Sequence, residues 1–177
     1  KHGTWRRLWI ALAEAERALG VEITAEQIDE LKRAAAGEID FDRAAELERE
    51  LRHDVMAHVH LYGEAAPGAR AVIHLGATSC FVADNAELIQ IRDGLRLLRR
   101  RLLAVVARLA EFARQWRDQP LLARTHFQPA QLTTLGKRAC LWLWDLVTDL
   151  DEVDRLIERM AFRSTKGTTG TQGSFLA

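Results

Sequence analysis

Hydrophobic residues recur every three or four positions along most of this chain, which is the spacing of amphipathic helices. The first such pattern covers residues 5–19, and Gly20 follows it as the glycine that commonly ends a helix. Residues 24–27 are typical of a capping box that starts a second helix. Either Asp40 or Asp42 caps a third helix. We therefore expect a group of short helices at the start of the chain.

Two later hydrophobic patterns are much longer, and we expect Asp84 to cap the first of them. At 1.5 Å per residue each helix is about 45–50 Å long. Apolar seams of this length favour partner helices from other copies of the chain, which predicts a homo-oligomeric helical bundle. The first seam comprises Leu88, Ile91, Leu95, Leu98, Leu102, Val105, Leu109, Phe112 and Trp116, and the second comprises Leu132, Leu135, Ala139, Trp142, Leu146, Val153, Leu156 and Met160.

The patterns together predict an all-α protein with two domains. Residues 1–79 form a small helical N-terminal domain, and residues 80–177 form the first part of a truncated bundle of long helices. This division rests on the change from short to long apolar patterns near residue 80.

Composition narrows the possible partners and the compartment. The 177 residues carry 25 basic and 25 acidic side chains, and this balance argues against nucleic acid or an anionic membrane as the partner. No apolar run approaches the roughly 18 residues of a membrane span, and we find no signal peptide. Cys80 and Cys140 lie far apart without metal-site spacing, which favours reduced thiols in a cytoplasmic protein.

Candidate chemistry appears first in the segment between the two long patterns. Thr125 and His126 stand shortly before Pro129, which is well suited to the first position of a helix. We therefore expect His126 in an irregular segment where its ring can reach a ligand. The alternative is a plain helix connection with a solvated histidine.

A second polar cluster interrupts an apolar pattern at Arg52, His53 and Asp54. It is either a ligand contact or a solvent-facing helix start, and these residues alone do not decide between the two. His58 and His60 follow, yet His53 and His60 would lie roughly 10 Å apart along a helix. Zinc requires ligand atoms about 2 Å away, so we expect no metal site here.

Two further stretches have the character of anion sites. His74 precedes Gly76, and Thr78 and Ser79 then place two hydroxyls at an expected helix start, where carboxylate or phosphate binds well. Ordinary helix starts share this composition. The Gly/Thr-rich residues 166–174 can present backbone N–H groups to an anion, without the spacing of a nucleotide triphosphate loop.

Residues 52–55, 74–79, 124–131 and 166–170, in this order and spacing, resemble the adenylosuccinate lyases, a family of the fumarase/aspartase superfamily. The resemblance runs along essentially the whole chain and is closest to the animal-type branch. A carboxymuconate cycloisomerase shares the Gly-Ala-Thr-Ser piece and is the enzymatic alternative. The alternative from another class is a catalytically inert helical oligomerisation module.

The resemblance implies a fumarase/aspartase-type helical bundle that forms a homotetramer, with each active site collected from three subunits. It implies β-elimination of fumarate from adenylosuccinate, giving AMP, and from the succinylated aminoimidazole carboxamide ribotide of purine biosynthesis. The partner is then a small succinyl-nucleotide, and no cofactor or metal is required.

The resemblance also assigns roles to residues. His126 is expected to protonate the departing nitrogen, and Thr125 to orient it. Thr78 and Ser79 are expected to hold a succinyl carboxylate, while His74 lies close to the site. Nucleotide contacts are expected from Arg52, His53 and Asp54, with His53 near the phosphate.

One part of the family pattern falls beyond Ala177. It is the flexible loop that carries the serine proposed to take the Cβ proton. We therefore expect the 177-residue chain to be a fragment that holds an acid without its base and that is inactive by itself.

Overall fold

The computed structural model describes residues 1–165, 169–171 and 173. The chain is predominantly helical, which confirms the predicted fold class, and it adds one small two-stranded sheet. It divides into two compact units. One unit contains Lys1–Ile89 together with Phe162–Ala177, and we call it the N-terminal unit. The other contains Gln90–Ala161, and we call it the long-helix unit.

Short helices build the N-terminal unit. They are α1 (His2–Ala18), α2 (Ala25–Ala35), α3 (Phe41–Leu51) and α4 (Asp54–Ala65), followed by a 3-10 turn at Pro67–Val72. The first turns of α5 complete the unit. Helices α1, α2 and α4 each lay one apolar face on a shared core, while α3 packs Ala44 and Leu47 against Ala57 and Leu61 of α4 in a second, smaller cluster.

The predicted helix boundaries in this unit are confirmed where the signal is local. Gly20 adopts a φ of 95°, which permits the turn after α1. Thr24 accepts a hydrogen bond from the N–H of Gln27 at 3.2 Å, and Gln27 accepts one from the N–H of Thr24 at 3.0 Å. Of the two candidate caps for α3, Asp40 is the one used, accepting from the N–H of Arg43 at 2.9 Å.

Aromatic residues dominate the core of the N-terminal unit. Trp5, Trp9 and Tyr62 are almost completely buried. The hydroxyl of Tyr62 donates to the carbonyl oxygen of Leu31 at 2.6 Å, which satisfies the one polar atom that this ring brings into the core. The core of this unit is therefore closed by its own residues.

Helix α5 (Ser79–Gln115) begins earlier than predicted. Asp84 was expected to be its cap, and this is wrong because the chain is already helical from Ser79, with the N–H of Phe81 donating to the carbonyl oxygen of Thr78 at 2.9 Å. The predicted domain boundary at residues 79 and 80 coincides with this helix start. It stays a prediction, since the compact units part ten residues later.

Asn85 ties the start of α5 to the chain that follows the last helix. Its side chain is buried, donates to the carbonyl oxygen of Arg163 at 2.9 Å, and accepts from the N–H of Arg163 at 2.7 Å. It also donates to the carbonyl oxygen of Phe81 at 2.7 Å. The segment at Arg163 is thus held within the N-terminal unit.

The long-helix unit contains a β-hairpin between two helices. Strand β1 (Pro120–Thr125) pairs antiparallel with β2 (Gln128–Thr134), and helix α6 (Leu135–Arg159) follows directly. The expectation of an irregular segment ended by a helix at Pro129 is therefore wrong. Pro129 lies in β2 opposite Arg124, and the isolated two-stranded sheet tolerates it because both strands are edge strands.

Thr134 is the true N-cap of α6, accepting from the N–H of Lys137 at 3.1 Å. Helices α5 and α6 run antiparallel, since Arg99 donates to Asp154 at 3.2 Å near one end while Gly136 contacts the other end of α5. A Cβ on Gly136 would overlap the carbonyl oxygen of Ala113, so this close approach requires glycine.

The two long helices bury little apolar surface within their own unit. Within residues 90–161, all of which are described, the buried residues with apolar side chains are Ala113, Ala139 and Val153. Large side chains of both predicted seams remain exposed, among them Ile91, Leu98, Val105, Trp142 and Leu156. The two predicted long helices are present, but the second is shorter than expected: Leu132 of its predicted seam lies in β2, and α6 has 25 residues against 37 in α5. The partner that would cover the seams stays a prediction.

Candidate active site

Arg52, His53 and Asp54 lie at the junction of α3 and α4. Arg52 closes α3 in a left-handed conformation with a φ of 55°. His53 is the N-cap of α4, and its Nδ1 accepts from the N–H of Met56 at 3.4 Å. Asp54 opens α4 with a carboxylate oxygen 3.6 Å from Nδ1 of His53. All three side chains are exposed at this helix start, where they remain accessible to a ligand.

His53 also contacts the start of α5, because its Nε2 lies 3.1 Å from Oγ of Ser79. Since Nδ1 accepts a backbone N–H, the neutral ring carries its proton on Nε2 and donates to the serine oxygen. The Ser79 hydroxyl hydrogen can then donate to a ligand. Two residues 26 positions apart in the sequence thus form one polar pair.

His74 stands in a tight turn beside this pair. It has a φ of 66°, and Gly76 has a φ of 60°. The indole N–H of Trp9 donates to Nδ1 of His74 at 3.0 Å. Burial lowers the pKa of His74, and the nearby His53 lowers it further, so the ring is neutral at pH 7.

Thr78 directly precedes the first residue of α5 and is half-buried. The first N–H groups of a helix have no partner within the helix, and they carry the positive end of its dipole. The N-terminal unit therefore gathers a hydroxyl pair, a helix start and two histidines. This arrangement can bind a carboxylate or phosphate.

Thr125 and His126 lie at the tip of the hairpin in the long-helix unit. Thr125 pairs with Gln128, and His126 and Phe127 form the two-residue turn with φ values of 48° and 62°. Both turn residues are exposed. The positive φ values match a type I′ turn, which presents the imidazole of His126 to the surroundings without burying it.

The hairpin and the first turns of α6 enclose a cleft of about 570 Å³. Leucines line it together with three basic residues, Arg124, Lys137 and Arg138. Lys137 and Arg138 are not among the candidates predicted from the sequence. The available signal was the position of this basic pair one turn after the Thr134 cap.

Trp9 was also missed as a functional candidate, because its place in an amphipathic pattern assigns it to the core. No sequence signal connects it to His74, which lies 65 residues away. Within the described part of the chain, no group of three His, Cys, Asp or Glu side chains can hold a metal ion. Among the same described residues, no helix is long and apolar enough to cross a membrane.

The Gly/Thr-rich candidate loop at residues 166–174 lies largely outside the described residues. Of its nine positions, only 169–171 and 173 are described. Its expected role in holding an anion stays a prediction.

Comparison with known proteins identifies the class of this chain. A family model described as lyase matches residues 4–175. Two solved structures share the fold across 98% of the chain. A fumarate lyase from Mesorhizobium sp. BNC1 aligns with a TM-score of 0.88 at 29% identity, over 41% of that chain. A beta-carboxy-cis,cis-muconate cycloisomerase from Acinetobacter calcoaceticus sp. ADP1 aligns with a TM-score of 0.83 at 26% identity, over 42% of that chain. The chain belongs to this lyase family.

Its curated relatives are more specific. The adenylosuccinate lyase of Saccharomyces cerevisiae is 51% identical over all of this chain and 37% of its own length. That of Schizosaccharomyces pombe is 52% identical over 98% of this chain and 36% of its own length. Archaeal adenylosuccinate lyases match at lower identity, 34% for Methanothermobacter thermautotrophicus over 91% of this chain and 36% of its own length. The resemblance to the adenylosuccinate lyases is confirmed, and the chain spans about 37% of the length of these relatives.

Proposed function

We propose that the full-length protein containing this chain is an adenylosuccinate lyase. It eliminates fumarate from adenylosuccinate to give AMP, and from the succinylated aminoimidazole carboxamide ribotide of purine biosynthesis. The observation that carries the proposal is the similarity of about 50% identity to adenylosuccinate lyases across the whole chain. The positions of the candidate residues add a physical basis for protonation of the departing nitrogen and for binding of the substrate's charged groups.

The elimination breaks a C–N bond, removes a proton from Cβ and delivers another to the departing nitrogen. His126 is the candidate for the second transfer, because an exposed imidazole near pH 7 can donate or accept a proton. Thr125 adjoins it at the same hairpin tip and can orient the ring or the substrate. The base at Cβ is expected from the part of the family pattern beyond residue 177.

The substrate's charged groups suit the N-terminal unit. Thr78 and Ser79 stand at the start of a 37-residue helix, where hydroxyls and free N–H groups stabilise a succinyl carboxylate. Arg52, His53 and Asp54 contact the nucleotide, and His53, bonded to Ser79, lies where it can approach a phosphate. His74 completes the same surface.

The proposed assembly is a homotetramer in the cytoplasm. The large apolar side chains exposed along α5 and α6 support association, since exposed apolar surface is typical of an interaction site. Cys80 and Cys140 are free thiols, which accords with a reducing compartment. The partner is a small succinyl-nucleotide, without nucleic acid, membrane or cofactor.

A substrate panel tests the proposal. The full-length protein is incubated with adenylosuccinate and, separately, with 3-carboxymuconate, because the cycloisomerase shares the fold. We expect AMP and fumarate in equal amounts from the first substrate and no lactone from the second. The 177-residue chain tested alone should form no fumarate. Turnover of carboxymuconate without turnover of adenylosuccinate would reverse the assignment.

A single variant distinguishes binding of the substrate's succinyl group from binding of its nucleotide. Thr78→Val removes one hydroxyl at similar volume, and a hydrogen bond to a charged group is worth about 1.5–3 kcal/mol. We expect weaker binding of the succinyl-nucleotide and nearly unchanged binding of AMP, measured by calorimetry. Equal losses for both ligands would contradict the placement of the carboxylate at Thr78.

A further inference from the structure

The turn that carries His74 is held by one face of α1. Trp9 and Glu16 lie seven residues apart on this helix, which is close to two full turns. Trp9 bonds to His74, while a Cβ placed on Gly76 would lie 3.3 Å from Oε1 of Glu16. The backbone of the turn is unusual on both sides, with positive φ at His74 and Gly76. Helix α1 is therefore the support on which this turn rests.

The contact between Trp9 and His74 determines where the imidazole carries its proton. An indole N–H can only donate, so Nδ1 of His74 must accept and therefore lacks a proton. The neutral ring then carries its proton on Nε2. Burial lowers the pKa of His74, with His53 adding to the effect, and both favour this neutral form. The ring planes are nearly perpendicular, at 84°, which suits an edge-on hydrogen bond.

We propose that Trp9 is a positioning residue: its buried N–H fixes the tautomer and orientation of His74, so that Nε2–H of His74 donates to an anionic oxygen of the ligand. This inference rests on the proposed function for the identity of the ligand. The anionic oxygen belongs to either the phosphate or a carboxylate of a succinyl-nucleotide, and both accept from a neutral imidazole. His74 is on this account a neutral donor and takes no part in proton transfer.

The chain offers a matched control for Trp9. Trp5 lies one turn earlier on α1 and is equally buried, at 1% exposure for each. Its indole nitrogen is buried without a hydrogen-bond partner among the described residues. Trp5→Phe and Trp9→Phe thus make the same change in volume, and only the second removes a hydrogen bond to a site residue.

The first experiment measures ligand affinity in the full-length protein by calorimetry. We expect Trp9→Phe to weaken binding by about 3–10-fold, the range for loss of one uncharged hydrogen bond, and Trp5→Phe to stay within about twofold of wild type. AMP carries only the phosphate and fumarate only carboxylates, so the ligand that weakens identifies the anionic group. Equal effects of the two tryptophan variants on both ligands would overturn the proposal.

A second pair of variants covers the case in which Trp9→Phe does not fold. In His74→Gln the amide nitrogen reaches the position of Nε2, whereas in His74→Asn it reaches only that of Nδ1. Asparagine is the better residue for the backbone, because it tolerates positive φ more readily. A purely structural role therefore ranks Asn above Gln. We expect the reverse order in ligand affinity, and Asn equal to or above Gln would overturn the proposal.

A double-mutant cycle measured by thermal unfolding tests the contact between Trp9 and His74 without depending on enzyme turnover. The Tm is measured for Trp9→Phe, His74→Gln and the double variant without ligand. The tryptophan change should cost less in the glutamine background, since Nδ1 is already absent. Additive changes would overturn the Trp9–His74 contact itself. If the cycle shows coupling and adenylosuccinate is not turned over, the proposed function fails while the contact stands.

Discussion

The N-terminal unit and the long-helix unit differ in how much of their large apolar side chains they bury. The first buries Trp5, Trp9 and Tyr62 almost completely among its own helices. The second leaves Trp142 54% exposed and Trp144 72% exposed on α6. Large aromatic side chains contribute most of the burial energy of a core, so the difference is energetic as well as geometric.

The same contrast extends to the candidate site. Inside the N-terminal unit, His53 is hydrogen-bonded to Ser79, and His74 is hydrogen-bonded to Trp9. His126 stands on an exposed two-residue turn, where its ring has no such support from its own unit among the described residues. The candidate residues of the N-terminal unit are thus positioned by that unit's own side chains, whereas the candidate residue His126 is not.

The largest effect is expected at the exposed hairpin. Removing a general acid typically costs about 10²–10⁴-fold in rate. In the full-length protein, His126→Ala should lower kcat for adenylosuccinate by this factor and change KM much less. His60→Ala, in the N-terminal unit and outside the candidate site, is the control and should retain wild-type kcat. An unchanged kcat in His126→Ala would remove this residue from the chemistry.

The next effect contrasts the two kinds of tryptophan. Trp5→Ala empties a closed core and should lower the free energy of unfolding by about 3–5 kcal/mol. Trp142→Ala removes a side chain that its own unit leaves half exposed, and its cost should appear only where chains associate. Urea unfolding at two protein concentrations separates these cases.

We expect the Trp5 loss to be equal at both concentrations, and the Trp142 loss to grow with concentration. If Trp142→Ala destabilises the most dilute sample as much as Trp5→Ala does, the contrast between the units is wrong.

Local signals in the sequence predicted several boundaries of the short helices in the N-terminal unit. The capping pair Thr24 and Gln27, the terminating Gly20 and the cap Asp40 act over three or four residues, and each is confirmed. The contact between Trp9 and His74 could not be predicted in this way, since it depends on how α1 packs against a turn 65 residues later.

The hairpin was missed for a specific reason. Two-residue hairpin turns are usually signalled by Asn-Gly or Asp-Gly, because both central residues adopt positive φ. Here the turn is formed by His126 and Phe127, which give no such signal. Pro129 instead resembles the first residue of a helix. The family resemblance supplied Thr125 and His126 as candidate residues, while the hairpin backbone that presents them was not predictable.

A smaller effect on stability is expected where Gly136, at the start of α6, lies against the end of α5. Gly136→Ala places a methyl group against the backbone of Ala113 and Arg117, and overpacking typically costs about 1–3 kcal/mol. Gly94→Ala on α5 is the matched control, since a Cβ there meets nothing within 4 Å. Replacing an unhindered helical glycine should instead stabilise by up to about 1 kcal/mol. If the unfolding midpoint shifted in the same direction from wild type in both variants, the close approach at Gly136 would be contradicted.

A further effect is a pH dependence that arises within the N-terminal unit. His58 stacks on His2 at 4.1 Å, and burial, followed by the charges of His2 and Arg6, lowers the pKa of His58 to about 4. Between pH 6.5 and about 4 the unfolded chain binds a proton that the folded chain does not, so stability falls as the pH falls through this window.

The check compares unfolding free energies of wild type and His58→Gln at several pH values. The variant has no titrating ring at this position, so we expect it to lose less stability between pH 6.5 and 4. Curves that stay parallel across this window would show that His58 contributes nothing to acid sensitivity.

The most direct test measures the particle mass and the enzyme activity of one variant in the apolar seam of α5. Leu98 is half exposed on α5, and Leu98→Lys places a charge in the middle of the apolar surface. Arg100→Gln, on the opposite side of the same helix, is the control. Light scattering and fumarate formation are measured on the same samples of full-length protein. We predict that wild type and Arg100→Gln are active particles of several chains, and that Leu98→Lys dissociates and loses turnover together. A monomeric Leu98→Lys protein with wild-type turnover would contradict the account.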